Sequence, residues 1–189
     1  LREPLESGVV NLHRSGIHAR YPASFQLVMA SNPCPCGGRR GGRRCTCSSI
    51  ARRRYMARLS GPLLDRMDIR IDVHTPTRAD MAASGASDSA TIRERVCAAR
   101  ERSRHRLAGT PWTCNAQLPG VWIRRHSGID ADLVAQLDRL VDAGASSMRG
   151  IDRMLRLAWT LADLDGAPTP TFDHIVAAQQ LRNGHDHGN

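Results

Sequence analysis

Not one of the 27 basic residues in this chain is a lysine. That absence constrains the fold more than any other feature. A phosphate-binding loop of the form G-x-x-x-x-G-K-[ST] needs its lysine on the β- and γ-phosphates of a nucleotide. A chain with only arginine therefore cannot complete a P-loop nucleotide-binding core. The glycine-rich stretch at residues 37–42 does not substitute for one, because Arg39 and Arg40 interrupt it and cysteines bound it. The chain also starts at Leu1 and has no methionine before Met29. Together these features predict a piece of a longer protein.

The arginines set the charge. With 27 basic and 18 acidic residues, the formal net charge is +9. Each guanidinium is a planar fork that grips phosphate bidentately, so nucleic acid or nucleotide is the expected partner. The alternative is a solvated arginine surface with no ligand. Hydrophobic residues are 41% of the chain and aromatics only 4%, so the core must be built from Leu, Val, Ile, Ala and Met. No apolar run reaches the roughly 18–20 residues needed to cross a bilayer; residues 25–30 (FQLVMA) are strand-sized. Residues 1–7 carry two acids and no apolar block, unlike a signal peptide. The expectation is a soluble, cytoplasmic protein with no membrane contact.

Hydrophobic patterning divides the chain into two halves. Residues 9–14 and 17–21 have strand character, and Ser15-Gly16 is a two-residue turn between them, which predicts a β-hairpin. The apolar run 25–30 predicts a buried central strand with Asn32 at its C-terminal end. Residues 50–59 are basic and helical in composition. Ile69, Ile71 and Val73 alternate with polar residues, predicting another strand. Residues 76–90, rich in Thr, Ala, Ser, Gly and Asp, read as a linker. Beyond it the period becomes helical: a very basic amphipathic stretch at 90–107, a helix at 130–143 with Leu133, Leu137, Leu140 and Val141 on one face, a third at 147–165 capped by Ser146 or Ser147, and a fourth at 171–182 capped by Thr171.

Cys34, Cys36, Cys45 and Cys47 form C-x-C, eight residues, then C-x-C. Four thiols within fourteen residues argue for metal before disulfide in a chain of this kind. Tetrahedral Zn²⁺ takes four thiolates, so a structural zinc knuckle is expected; redox-active or metal-free thiols are the alternatives. Arg39, Arg40, Arg43 and Arg44 lie between the pairs and would lower the thiol pKa. Cys97 and Cys114 stand apart and read as ordinary buried cysteines.

Three segments in order, YPASFQLVMASNPCPCGG, RLSGPLLDRMDIRIDV and SSMRGIDRMLRLAWTLADLDG, resemble the magnesium-chelatase-like AAA+ proteins of the YifB/ComM group, relatives of the MCM helicases. The resemblance covers nearly the whole chain, and NPCPCG is its most specific part. It implies the distal part of an AAA+ α/β core at residues 1–75, with a zinc-knuckle-like insert at 34–47. A linker at 76–90, a helical lid at 91–184 and a tail at 185–189 follow. By the same resemblance, Asn32 matches sensor 1, which orients the water that attacks the γ-phosphate. Arg66 matches the arginine finger, which acts on a neighbouring subunit's nucleotide and so implies a ring, most simply a homohexamer. Arg149 matches sensor 2, with Arg153 one turn on as the alternative. The hairpin matches the pre-sensor-1 hairpin, with His13, Arg14, His18 and Arg20 as its DNA contacts. One departure stands out: family members usually carry an arginine where this chain has Trp159, which puts nucleotide contact by the lid in question.

The reading that follows is a fragment of an ATPase motor resembling a ComM-type DNA branch-migration helicase. ATP and Mg²⁺ would act in the full-length protein, and the chain alone is expected to be inactive. The alternatives are a magnesium-chelatase-type ATPase subunit that remodels a protein partner, and a non-enzymatic zinc- and arginine-rich nucleic-acid-binding module.

Overall fold

A computed structural model describes residues 2–37, 45–59, 61–64, 66–73, 76–82, 87–126, 128–142, 144 and 146–183. The chain divides into two compact units, residues 1–67 and 68–189.

The first unit opens with a short helix α1 (Arg2–Ser7) and the hairpin β1 (Val9–Arg14) and β2 (Ile17–Pro22). The strands pair antiparallel in the register Val9 with Pro22 through Arg14 with Ile17. The turn residues Ser15 and Gly16 have φ of 49° and 80°. Two consecutive left-handed residues match the right-handed twist of the flanking strands, which is why a Ser-Gly pair closes this hairpin. Helix α2 (Ser49–Met56) follows the cysteine segment, its first turn capped by Ser48, whose hydroxyl accepts from the Ala51 amide at 3.2 Å. A single turn, α3 (Gly61–Leu64), precedes Arg66.

Residues 25–30 depart from expectation. They pair with no strand, and Phe25, Val28 and Met29 are exposed. Residues 69–73 behave likewise: Ile69, Ile71 and Val73 are exposed, and the Arg70 amide donates to the Leu181 carbonyl at 2.7 Å. Alternation and apolarity make a segment fit for a strand, but a strand exists only through a partner's hydrogen bonds. Among the described residues the hairpin is the one sheet.

The second unit is helical: α4 (Arg78–Ala82), α5 (Ser89–Arg106), a 3-10 turn (Asn115–Gln117), α6 (Gly120–His126), α7 (Ala131–Asp142), α8 (Met148–Asp165) and α9 (Phe172–Asn183). Helix α8 is its axis. Ser147 caps its N-terminus, accepting from the Gly150 amide at 3.1 Å, and Gly166 ends it in the left-handed conformation. Ile151, Leu155, Ala158 and Ala162 are all but fully buried along one side. Leu107, Leu118, Ile123, Leu137 and Ile175 close around them from the neighbouring elements. Burying each such Leu or Ile contributes about 1.5–3 kcal/mol before entropy is counted. In α7, Leu137 is buried and Leu133 and Val141 pack against the cluster; the Leu140 side chain is outside the described residues. At α9 the cap works in reverse of the expected direction: the Thr171 amide donates to Nδ1 of His174 at 2.9 Å, the N3 side chain reaching back as in half of a capping box.

A polar network threads this core. Asp163, 2% exposed, forms a two-pronged ion pair with Arg106 of α5. Its Oδ2 also accepts from the Asn115 amide at 2.8 Å. Arg106 donates to the Asn115 carbonyl oxygen at 2.7 Å and lies 3.9 Å above the Trp159 ring. Arg102 donates to the Asp163 main-chain carbonyl at 2.7 Å, next to the C-terminus of α8, where a cation meets the negative end of the helix dipole. Helix α5 buries only Ala99 and Ser103; it is a polar helix held by this network more than by an apolar face.

Candidate functional site

The cysteine pairs converge. The Gly37 amide donates to the Cys34 carbonyl at 3.1 Å, closing a tight turn, and Gly37 has a φ of 66°, a conformation that suits glycine. The turn carries the first two thiols to the second pair. Sγ–Sγ separations are 3.2 Å for Cys34–Cys36, 3.6 Å for Cys36–Cys45 and 3.4 Å for Cys45–Cys34. All four sulfurs, Cys47 included, lie within 4.8 Å of one another. Zn–S bonds of about 2.3 Å in a tetrahedron put sulfurs about 3.8 Å apart, so the donor set fits Zn²⁺ with little rearrangement.

Crowding of the thiols sets their proton chemistry. Hydrogen bonding to Cys36, then burial, then hydrogen bonding to Cys45 push the Cys34 thiol up from 9.0 to about 12. The Cys47 thiol is also raised, first by its bond to Cys36. Packed thiols without a cation keep their protons; a bound dication reverses this and deprotonates them. The arginines at 39, 40, 43 and 44 fall outside the described residues. Cys97 and Cys114 are exposed, contrary to expectation. Cys97 lies on the outward side of α5, and Cys114 lies at the entry to the 3-10 turn.

Asn32 is exposed and sits beside the cysteine turn: a Cβ built on Gly37 would lie 3.6 Å from its Nδ2. On the hairpin, His13 and His18 are cross-strand partners, with Nδ1 atoms 2.5 Å apart and rings edge to face. Arg20 pairs with Asn11 on the same face, whereas Arg14 pairs with Ile17 on the other. Three of the four basic groups thus share one exposed face. Arg14 shares its face with the exposed Leu12, Ile17 and Tyr21.

The matched arginines occupy different settings. Arg66 is 15% exposed and its guanidinium bonds Glu6 of α1 at 2.6 Å. Asp65 lies outside the described residues, and Asp68 pairs with Arg153 at 3.1 Å. Arg149 is exposed on the first turn of α8. Sequence reasoning missed Arg156, which extends the row at i, i+4, i+7 with Arg149 and Arg153. It also missed Arg124, which pairs with Asp152. Burial lowers the pKa of Arg156, whose Nε donates to the Leu118 carbonyl at 2.8 Å. The spacing of 149, 153 and 156 was the available signal.

Comparison with known proteins gives the class of the chain. Residues 1–81 match the family described as magnesium chelatase, subunit ChlI, and residues 86–182 match magnesium chelatase, subunit ChlI C-terminal. The chain belongs to this magnesium-chelatase-like family. It is 40% identical over 182 residues to an uncharacterized protein of Mycobacterium tuberculosis (strain H37Rv). It is 36% identical over 185 residues to YifB of Escherichia coli (strain K12), and 35% over 184 residues to the competence protein ComM of Haemophilus influenzae. Each alignment takes in 96% of this chain but only 35–36% of the relative, so the chain spans about a third of their length. Among the described residues no helix is long and apolar enough to cross a membrane.

Proposed function

We propose that this chain is the distal part of the ATPase core, with its helical lid, of a ring-forming AAA+ motor that works on DNA as a ComM-type branch-migration helicase does. The observation that carries this reading is the arginine row Arg149, Arg153 and Arg156 on the first half of α8. It lies beside a helix N-terminus, which itself favours anions. Arg149 takes the sensor-2 role in this reading, Asn32 that of sensor 1, and Arg66 that of the finger on a neighbouring subunit. ATP and Mg²⁺ are held by the longer protein, since this chain has no lysine for the β- and γ-phosphates. Phosphoryl transfer is catalysed by positioning and charge stabilisation, and those are the services these three residues offer. To act as a finger Arg66 must leave Glu6, a cost set against the roughly 10³–10⁵ in rate that an arginine finger supplies. The cysteine cluster holds a structural Zn²⁺, and the hairpin face of His13, His18 and Arg20 meets DNA phosphates without reading sequence.

The test is DNA binding by the chain across a salt series. Affinity for unrelated sequences should be equal and fall steeply with salt; Arg20→Ala should reduce the slope by about 1. Binding that is absent, or indifferent to salt, would return the reading to a chelatase-type subunit acting on protein.

A further inference from the structure

We infer that the cysteine cluster is a positioning device for Asn32: a metal bound by Cys34, Cys36, Cys45 and Cys47 fixes the backbone turn beside which the Asn32 amide lies. The inference rests on the metal site proposed above and gives it a purpose beyond local stability.

Asn32 precedes Cys34 by two residues, with only Pro33 between them. Cys34 to Gly37 form one turn, closed by the Gly37 amide on the Cys34 carbonyl at 3.1 Å. That turn presents Gly37 to the Asn32 side chain, with Nδ2 at 3.6 Å and Cγ at 3.8 Å from where a Cβ would stand. The turn therefore holds two of the four ligands and lies beside the amide. Upstream, residues 23–32 join no strand ladder, and the Ala23 amide donates to the Gly8 carbonyl at 2.7 Å.

Thiol contacts join Cys34 and Cys36 to Cys45, and sulfur is a weak hydrogen-bonding atom. With Zn²⁺, four metal–thiolate bonds would tie Cys34, Cys36, Cys45 and Cys47 to one ion. A group that must aim a water molecule needs to be held within about 0.5 Å. The metal supplies that constraint from outside the nucleotide site, so metal occupancy and the geometry of Asn32 are coupled.

Nuclear relaxation of the Asn32 side-chain amide tests this in the 189-residue chain, first treated with chelator and then titrated with Zn²⁺. Cobalt substitution, read by its thiolate charge-transfer band, reports metal binding independently. We expect one equivalent of metal. The Asn32 order parameter should rise from the flexible range, below about 0.6, toward the rigid value of about 0.85. Asn11, whose amide bonds Glu3 away from the cluster, is the control and should not change. Asn32→Ala should leave metal affinity within about twofold, because Asn32 lies beside the four cysteines and is no ligand. If no thiolate band forms, the metal site and this inference fall together. If the band forms and Asn32 relaxes as before, the inference falls and the metal site stands. A tenfold loss of metal affinity in Asn32→Ala would also overturn it, by making Asn32 part of the site.

Discussion

Replacing Asp163 with alanine should destabilise the helical unit by about 3 kcal/mol. Asp163 is 2% exposed, and its carboxylate accepts from both terminal nitrogens of Arg106 and from Asn115. Removing one partner of a buried ion pair costs about 3–5 kcal/mol, because the other charge is left uncompensated. The lower end applies here, since the Arg106 side chain is 22% exposed and keeps both the Asn115 carbonyl oxygen at 2.7 Å and the Trp159 ring at 3.9 Å. Thermal unfolding followed by helical circular dichroism should show a drop in Tm on the order of 10 °C for a unit of this size. The control is Asp163→Ala with Arg106→Met. It removes the stranded charge and keeps most of the volume, so it should recover at least half of the loss. A single substitution costing under 1 kcal/mol, or a double variant no more stable than the single one, would refute the claim that the stranded guanidinium drives the effect.

Other expectations follow from the same geometry. Zinc uptake should strengthen as pH rises, because ligation must strip protons from thiols that the cluster itself raises, Cys34 to about 12; between pH 8 and 6 the affinity should fall by up to about tenfold per pH unit for each proton released, measured by competition with a chromophoric chelator. Gly120→Ala would drive a Cβ into the Asp152 carboxylate and dislodge it from Arg124; overpacking of this kind costs about 1–3 kcal/mol, and the urea midpoint should fall accordingly, with Gly120→Ala in an Asp152→Ser background close to Asp152→Ser alone. Asp88 caps α5, and bonds from the Thr91 amide hold its carboxyl below the usual 3.8. A lowered carboxyl pKa gives stability that is present above the unfolded value and is lost as pH falls through the folded one. Asp88→Asn keeps the cap without the charge, so its acid unfolding curve should lose that component.

The parts of the fold written in local chemistry were legible in the sequence. Ser15-Gly16 between alternating runs specified the hairpin to within a residue, and helices α7, α8 and α9 begin and end within a residue or two of their period and caps. The cysteine spacing anticipated four sulfurs in one place. What failed depended on partners elsewhere in the chain or outside it. The runs at 25–30 and 69–73 have strand patterns, but no pattern states which strand they pair with. Arg106 and Asp163 are 57 residues apart, and nothing in either neighbourhood announces the other. The same reason hid Glu6 as the partner of Arg66, 60 residues away.

Trp159 bears on which side chains α8 offers to a ligand. The family resemblance leads one to expect an arginine there, yet position 159 is 3% exposed and belongs to the core. The cation near it is Arg106, which comes from α5 and is committed to Asp163. The row at 149, 153 and 156 is a separate face, turned away from Ile151, Leu155, Ala158 and Ala162 by the helical period. Within that row, Arg156 is engaged with the Leu118 carbonyl and partly desolvated, and Arg153 is held by Asp68. Arg149 is the exposed member, one residue into the helix, where the dipole adds most to its attraction for phosphate. Its exposure and its place nearest the helix N-terminus favour Arg149 over Arg153 for the sensor-2 role. If the proposed function holds, then in a protein that also carries the nucleotide-holding segments Arg149→Ala should lower ATP turnover by a larger factor than Arg153→Ala. Asp68→Asn, which removes one charge that holds Arg153, should partly rescue Arg149→Ala; equal losses with no rescue would place the contact elsewhere.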